Sequence, residues 1–303
     1  MQVSATAFEG HMAGFGAAIW FTSTRDFDPE YKPAWVDPNY KVPNIGRNTI
    51  RIQQSALVQN QVRSMTTVPG TGALTVSGSA TADIIGTNFT SNTALIGGAV
   101  SFATDVRGSV TTSNFTLNVA TTRGAAISLT DRVSAEVSFS YFLKNSATGG
   151  AAVSVQQQSS VAVAGSKFMQ NEASDSGAAI MGSDQSTLQV VTSSFVGNQA
   201  QFGGGCGLSE TAQLRLESVD FESNVALACG GALSVKSTSP VMLVGIVTFS
   251  KNQASTDASG GAVCVTLNKP NAKDCDALLG EYPYMLETAA DAVGFSQVST
   301  LDP

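Results

Sequence analysis

Phe89-Thr-Ser-Asn92, Phe115-Thr-Leu-Asn118, Phe142-Leu-Lys-Asn145, Phe168-Met-Gln-Asn171, Phe195-Val-Gly-Asn198, Phe221-Glu-Ser-Asn224 and Phe249-Ser-Lys-Asn252 recur every 26 to 28 residues, and Leu57-Val-Gln-Asn60 is an earlier copy. Five positions before each Phe, or before Leu57, stand Ile52, Ile84, Val110, Val137, Val163, Val190, Leu216 and Val244. Two positions before it stand Ser55, Thr87, Ser113, Ser140, Ser166, Ser193, Val219 and Val247. Five positions after it come Ala94, Ala120, Ala147, Ala173, Ala200, Ala226 and Ala254, with Val62 in the first copy.

Each Asn is followed by a string of small residues and one aliphatic residue. These are Gly97-Gly-Ala-Val100, Gly124-Ala-Ala-Ile127, Gly150-Ala-Ala-Val153, Gly177-Ala-Ala-Ile180, Gly230-Gly-Ala-Leu233 and Gly260-Gly-Ala-Val263, with Gly16-Ala-Ala-Ile19 opening the series. Gly203-Gly-Gly-Cys206 departs from the pattern and leaves its register open. Pairs such as Val100/Phe102, Ile127/Leu129 and Val153/Val155 show the period of two that marks a half-buried strand. A unit of this length with short strand-like pieces and no helical period cannot bury a face alone; it stacks on copies of itself. The expected architecture is all-β, a single-stranded parallel β-helix of roughly nine rungs. The Ser/Thr column fits a corner, bonded to backbone. The Asn column fits a turn in a left-handed backbone, each amide bonded to the Asn above and below.

The coordinated Gly-Gly-Ala-Ile-like and Phe-x-x-Asn strings resemble the polymorphic membrane protein repeat of chlamydial surface autotransporters, over about residues 14–265. The resemblance implies a right-handed parallel β-helix displayed outside a cell, often adhesive. Its motifs are scaffold residues and carry no active site.

Composition agrees with an all-β, turn-rich chain: 13% of the 303 residues are charged, 43% are hydrophobic and 29 are Gly. Sixteen basic against 23 acidic residues give a net charge of -7, with no basic cluster to neutralise a run of phosphates, so nucleic acid is excluded as a partner. Mean hydropathy is slightly positive at +0.10, yet the charge-free stretch 145–166 is rich in Ser, Gln and Gly and gives no transmembrane helix. No signal peptide is visible, since Glu9 and His11 precede any apolar stretch.

If the rungs (1–265) are scaffold, function belongs where the period breaks. The largest break is an inserted loop at about 22–48, carrying Phe27, Tyr31, Trp35 and Tyr40 among four prolines. Aromatics of this density suit contact with a protein partner. A second, short excess lies between Val62 and Gly70; the tail 266–303, with a helix-compatible run from Leu286 to Val293, is expected to cover the last rung as a non-repeat cap, and residues 1–13 the first. Cys206 with Cys229, and Cys264 with Cys275, are candidate disulfides; free buried thiols are equally open. Asn88-Phe-Thr90 and Asn114-Phe-Thr116 are glycosylation sequons one period apart, both amides expected to face outward.

Stacking sets Asp105 beside Asp131 and Arg132, with Asp184 two rungs further on, read as a solvated ladder of turn charges. His11 is the single histidine, and the cysteines lack metal-ligand spacing, so no catalytic residue, cofactor or metal is assigned. The sequence therefore predicts a non-enzymatic structural or binding module of an extracellular or cell-surface assembly that contacts a protein. The alternative is a carbohydrate-binding or carbohydrate-cleaving protein on the same fold, with a glycan as partner.

Overall fold

The computed structural model describes residues 1–13, 18–22, 48–62, 71–236, 239–255 and 261–266. Four parallel sheets, each nine strands deep, wind into a β-solenoid, and the described residues include no helix. One circuit runs through Ser134–Ser138 in the first sheet, Tyr141–Leu143 in the second, Ser146–Gly149 in the third and Val153–Val155 in the fourth. Each strand pairs in register with its counterpart one circuit on, so that Val137 faces Val163, Phe142 faces Phe168 and Val153 faces Ile180. The repeat thus converts a sequence period into columns of like side chains about 4.8 Å apart.

Every repeat-defining column points inward. The rings from Phe89 to Phe249 stack face to face with centroids 4.6 to 5.2 Å apart, and those from Phe89 to Phe221 are fully buried. Beside them lie the aliphatic column Ile52 to Leu216 and the fourth-sheet column that includes Val100, Ile127, Val153 and Ile180. A smaller apolar cluster of Ala120, Ala125, Ala147, Ala151, Ala173, Ala178 and Ala200 fills the corner between the third and fourth sheets. There Gly97, Gly124, Gly150, Gly177, Gly203 and Gly230 all take positive φ. A Cβ on Gly177 would come within 2.3 Å of the Ile180 carbonyl oxygen, which is why small residues recur at this corner.

The Asn column is fully hydrogen-bonded, whereas the fourth-sheet hydroxyls of Ser128, Ser154 and Ser234 are buried without a partner. Asn60, Asn92, Asn118, Asn145, Asn171, Asn198, Asn224 and Asn252 form one continuous ladder, each Nδ2 donating to the next Oδ1 at 2.9 to 3.0 Å. The second amide hydrogen goes to the preceding circuit's Phe carbonyl, as from Asn145 to Phe115 O at 3.0 Å. Contrary to expectation, the asparagines are not the left-handed residues. Positive φ falls one position earlier, at Gln59, Ser91, Leu117, Lys144, Gln170, Gly197, Ser223 and Lys251. The exposed corner residue takes the turn so that the Asn side chain can point inward. At the next corner Ser113, Ser140, Ser166 and Ser193 donate to the carbonyl two residues back. Ser140, Ser166 and Ser193 each also accept a backbone N–H from the preceding circuit.

Three registers differ from the sequence reading. Residues 1–13 are not a separate cover but a circuit of their own: Val3 pairs with Ile52, Phe8 with Leu57, and His11 N donates to Asn60 Oδ1, taking the ladder's terminal place. In the last circuit Leu243, not Val244, pairs with Leu216 and is buried, because one extra residue in the Gly245–Val247 corner shifts the strand. Cys206 pairs with Ile180 and Leu233 and so fills the aliphatic position that Gly203-Gly-Gly had obscured.

The cysteine pairing is also corrected. Cys229 is bonded to Cys264, with Cα atoms 5.7 Å apart, and Cys206 is a free, buried thiol. Cys206 points into the core of the fourth sheet, whereas Cys229 ends a third-sheet strand at the glycine corner, opposite Cys264 of the next circuit. Cys275 lies outside the described residues, as does the helix-compatible run in the tail. Burial pushes the Cys206 thiol well above its ordinary range, so it stays protonated and unreactive. The bridge closes a span of 35 residues. Its reduction, or Cys264→Ser, is expected to lower stability by about 2–4 kcal/mol, read as a lower Tm in reducing than in non-reducing buffer.

Candidate functional site

The corner joining the fourth sheet to the first is built differently from the others. Five successive circuits turn on two adjacent residues with positive φ: Thr104-Asp105, Asp131-Arg132, Gln157-Gln158, Asp184-Gln185 and Glu210-Thr211. Hydrogen bonds Ser159 N to Gln156 O, Ser186 N to Ser183 O and Ala212 N to Ser209 O, at 3.1 to 3.2 Å, close three of these as tight turns. Two consecutive left-handed residues define a turn that favours Gly, Asn and Asp; Asp105, Asp131 and Asp184 are of that kind, and the other seven residues are not. The glycine corner, by contrast, uses Gly in each circuit from Gly97 to Gly230.

The turn backbones are locked to one another along the rod: Arg132 N donates to Gln157 O, Gln158 N to Asp184 O and Gln185 N to Glu210 O, at 2.9 to 3.2 Å. The buried residue after each pair, such as Val133, Ser159, Ser186 or Ala212, anchors the turn in the core. The side chains stand outward and line an open groove of about 700 Å³ between Asp131-Arg132 and Glu210-Thr211.

Within it Arg132 is held from two sides, by Asp105 Oδ1 at 3.0 Å from Nε and by Asp131. The Asp105 hydrogen bond, then the two carboxylate charges, raise its pKa. Gln158 Nε2 donates to Gln185 Oε1 at 3.3 Å. Glu210 hydrogen-bonds to Asp184, and that bond, with the repulsion between the two carboxylates, raises its pKa.

The Asp105, Asp131 and Arg132 neighbours stand as the sequence reading placed them, with Asp184 two circuits further on. The reading missed Gln157, Gln158, Gln185, Glu210 and Thr211. Their signal is the same period: Asp131, Gln157, Asp184 and Glu210 are 26 or 27 residues apart.

None of the other sequence-predicted residues that the structure describes lines this groove. Asn88 and Asn114 pair in register on the outer face of the second sheet; both are exposed, and Asn114 Nδ2 donates to Asn88 Oδ1 at 2.9 Å. His11 is exposed at the first circuit. Phe27, Tyr31, Trp35 and Tyr40 lie outside the described residues. Among the described residues, no group of His, Cys, Asp and Glu could hold a metal ion and no helix is long and apolar enough to cross a membrane.

The Chlamydia polymorphic membrane protein repeat matches residues 246–266, which carry Phe249-Ser-Lys-Asn252 and Gly260-Gly-Ala-Val263. No curated protein and no solved structure matches the chain.

Proposed function

We propose that this chain, whose repeat and parallel β-solenoid fit a polymorphic membrane protein-type repeat family, is a surface-displayed, adhesin-like rod: a structural and binding module, not an enzyme. The observation that carries this reading is the division of labour within the repeat. All residues that recur, the Phe, Asn, Ser and aliphatic columns, are spent inside, while the outer positions vary from circuit to circuit. Such a molecule is a stiff support whose surface can change without cost to the fold. Proteins built on this repeat are in general non-enzymatic and exposed at the cell surface, which supports an extracellular or cell-surface location for this one.

The protein contact belongs to the aromatic segment 22–48, on the strength of Phe27, Tyr31, Trp35 and Tyr40, residue types enriched at interface centres. The test is gentle isolation from the source cells, with size exclusion and mass spectrometry of what co-purifies. A defined partner is expected with the full chain and absent after combined substitution of the four aromatics by Ala. A monomer without a partner, or a partner retained by the substituted chain, would overturn the assignment.

A further inference from the structure

We propose that the groove along the corner from Asp131-Arg132 to Glu210-Thr211 is a binding site for an extended, neutral polysaccharide lying parallel to the rod, held by Gln158, Asp184, Gln185 and Glu210. It goes beyond the protein contact assigned to segment 22–48 and rests on different residues.

The first argument is the period. The groove offers a pair of polar side chains at every circuit, about 4.8 Å apart, in a straight line. A ligand that satisfies such a line presents similar groups at a similar, regular interval, which a linear sugar polymer does. The second is the chemistry of the side chains. Gln158 and Gln185 are planar and both donate and accept, while Asp184 and Glu210 accept in pairs. Neighbouring hydroxyls of a sugar ring also both donate and accept, so each ring finds complementary partners on two adjacent circuits.

Charge selects among polymers. Among the described residues, Arg132 is the one cation lining the groove, and Asp105 and Asp131 already engage it, while Asp184 and Glu210 add negative charge. A uronate, sulfate or phosphate chain meets repulsion there; a neutral chain does not. An extended peptide lacks its usual means of attachment, because the turn amides are hydrogen-bonded from circuit to circuit and offer no sheet edge.

The experiment is isothermal titration of the full chain with neutral cello-, xylo-, manno- and chito-oligosaccharides of two to eight units, and with heparin as an anionic control. Saturable binding to at least one neutral series is expected, tightening with length until the groove is spanned and nearly independent of salt. Combined Gln158→Ala and Gln185→Ala should weaken it about tenfold or more, the loss of roughly two hydrogen bonds, with an unchanged circular dichroism spectrum. Gln199→Ala, exposed on the third sheet, should leave binding intact. Absence of binding to every neutral series, binding unaffected by the double substitution, or binding to heparin alone would each overturn the proposal. Deleting segment 22–48 should abolish the protein contact and spare this one, so the two proposals fail separately.

Discussion

Asn145→Ala is expected to cost about 3–6 kcal/mol, among the largest single-site losses in the molecule, because it orphans several buried groups at once. Asn145 Oδ1 receives both the backbone N–H and the side-chain amide of Asn118, at 3.1 and 3.0 Å, and Asn145 Nδ2 donates to Phe115 O and to Asn171. The side chain is fully buried, so water cannot replace these bonds. Asn145→Asp restores the acceptor but not the donor and buries a charge, so it should not rescue. Since a stacked rod is held by nearest-neighbour interfaces, a break in the middle should also split one cooperative unfolding transition into two. Urea denaturation followed by circular dichroism reads both effects. A single transition with a midpoint near that of the parent chain would show that the ladder contributes little.

Phe142→Ala is expected to cost about 3–5 kcal/mol, the range for deleting a buried ring that leaves a cavity. Phe142 stacks between Phe115 and Phe168 at 4.9 and 4.6 Å and is fully buried. Relaxation around the void is restricted, because each neighbouring ring is fixed by its own strand pairing. Phe142→Leu should be far milder, since Leu57 already holds the equivalent place in the stack beside Phe89. Equal losses for Ala and Leu would mean that ring stacking, and not volume, carries the energy. Thermal melts of the two variants distinguish these cases.

The architecture was legible because a solenoid turns each structural column into a sequence period. Phe89 to Phe249 and Asn60 to Asn252 announce themselves at fixed spacing, and the structure places all of them in register. The misread positions are those where one residue was added or the residue type changed. An inserted residue at the Gly245–Val247 corner moved Leu243 into the place of Val244. His11 stands where an Asn was sought, so the Val3–His11 circuit went unrecognised although Phe8 and Gly10 keep its pattern. Proximity of two cysteines on neighbouring circuits did not decide the disulfide, because Cys206 and Cys229 belong to different sheets. The groove was half legible for a similar reason. Asp131, Arg132 and Asp184 were seen, whereas Glu210 and the uncharged amides come together with them only when four circuits are stacked.

The central claim, that this solenoid is a rod displayed outside the cell, is tested most directly by labelling intact source cells with a membrane-impermeant amine reagent and mapping modified lysines by mass spectrometry. Lys144, Lys167 and Lys251 are exposed on the rod and should be labelled without lysis. Modification of these lysines only after the cells are broken open would contradict the account.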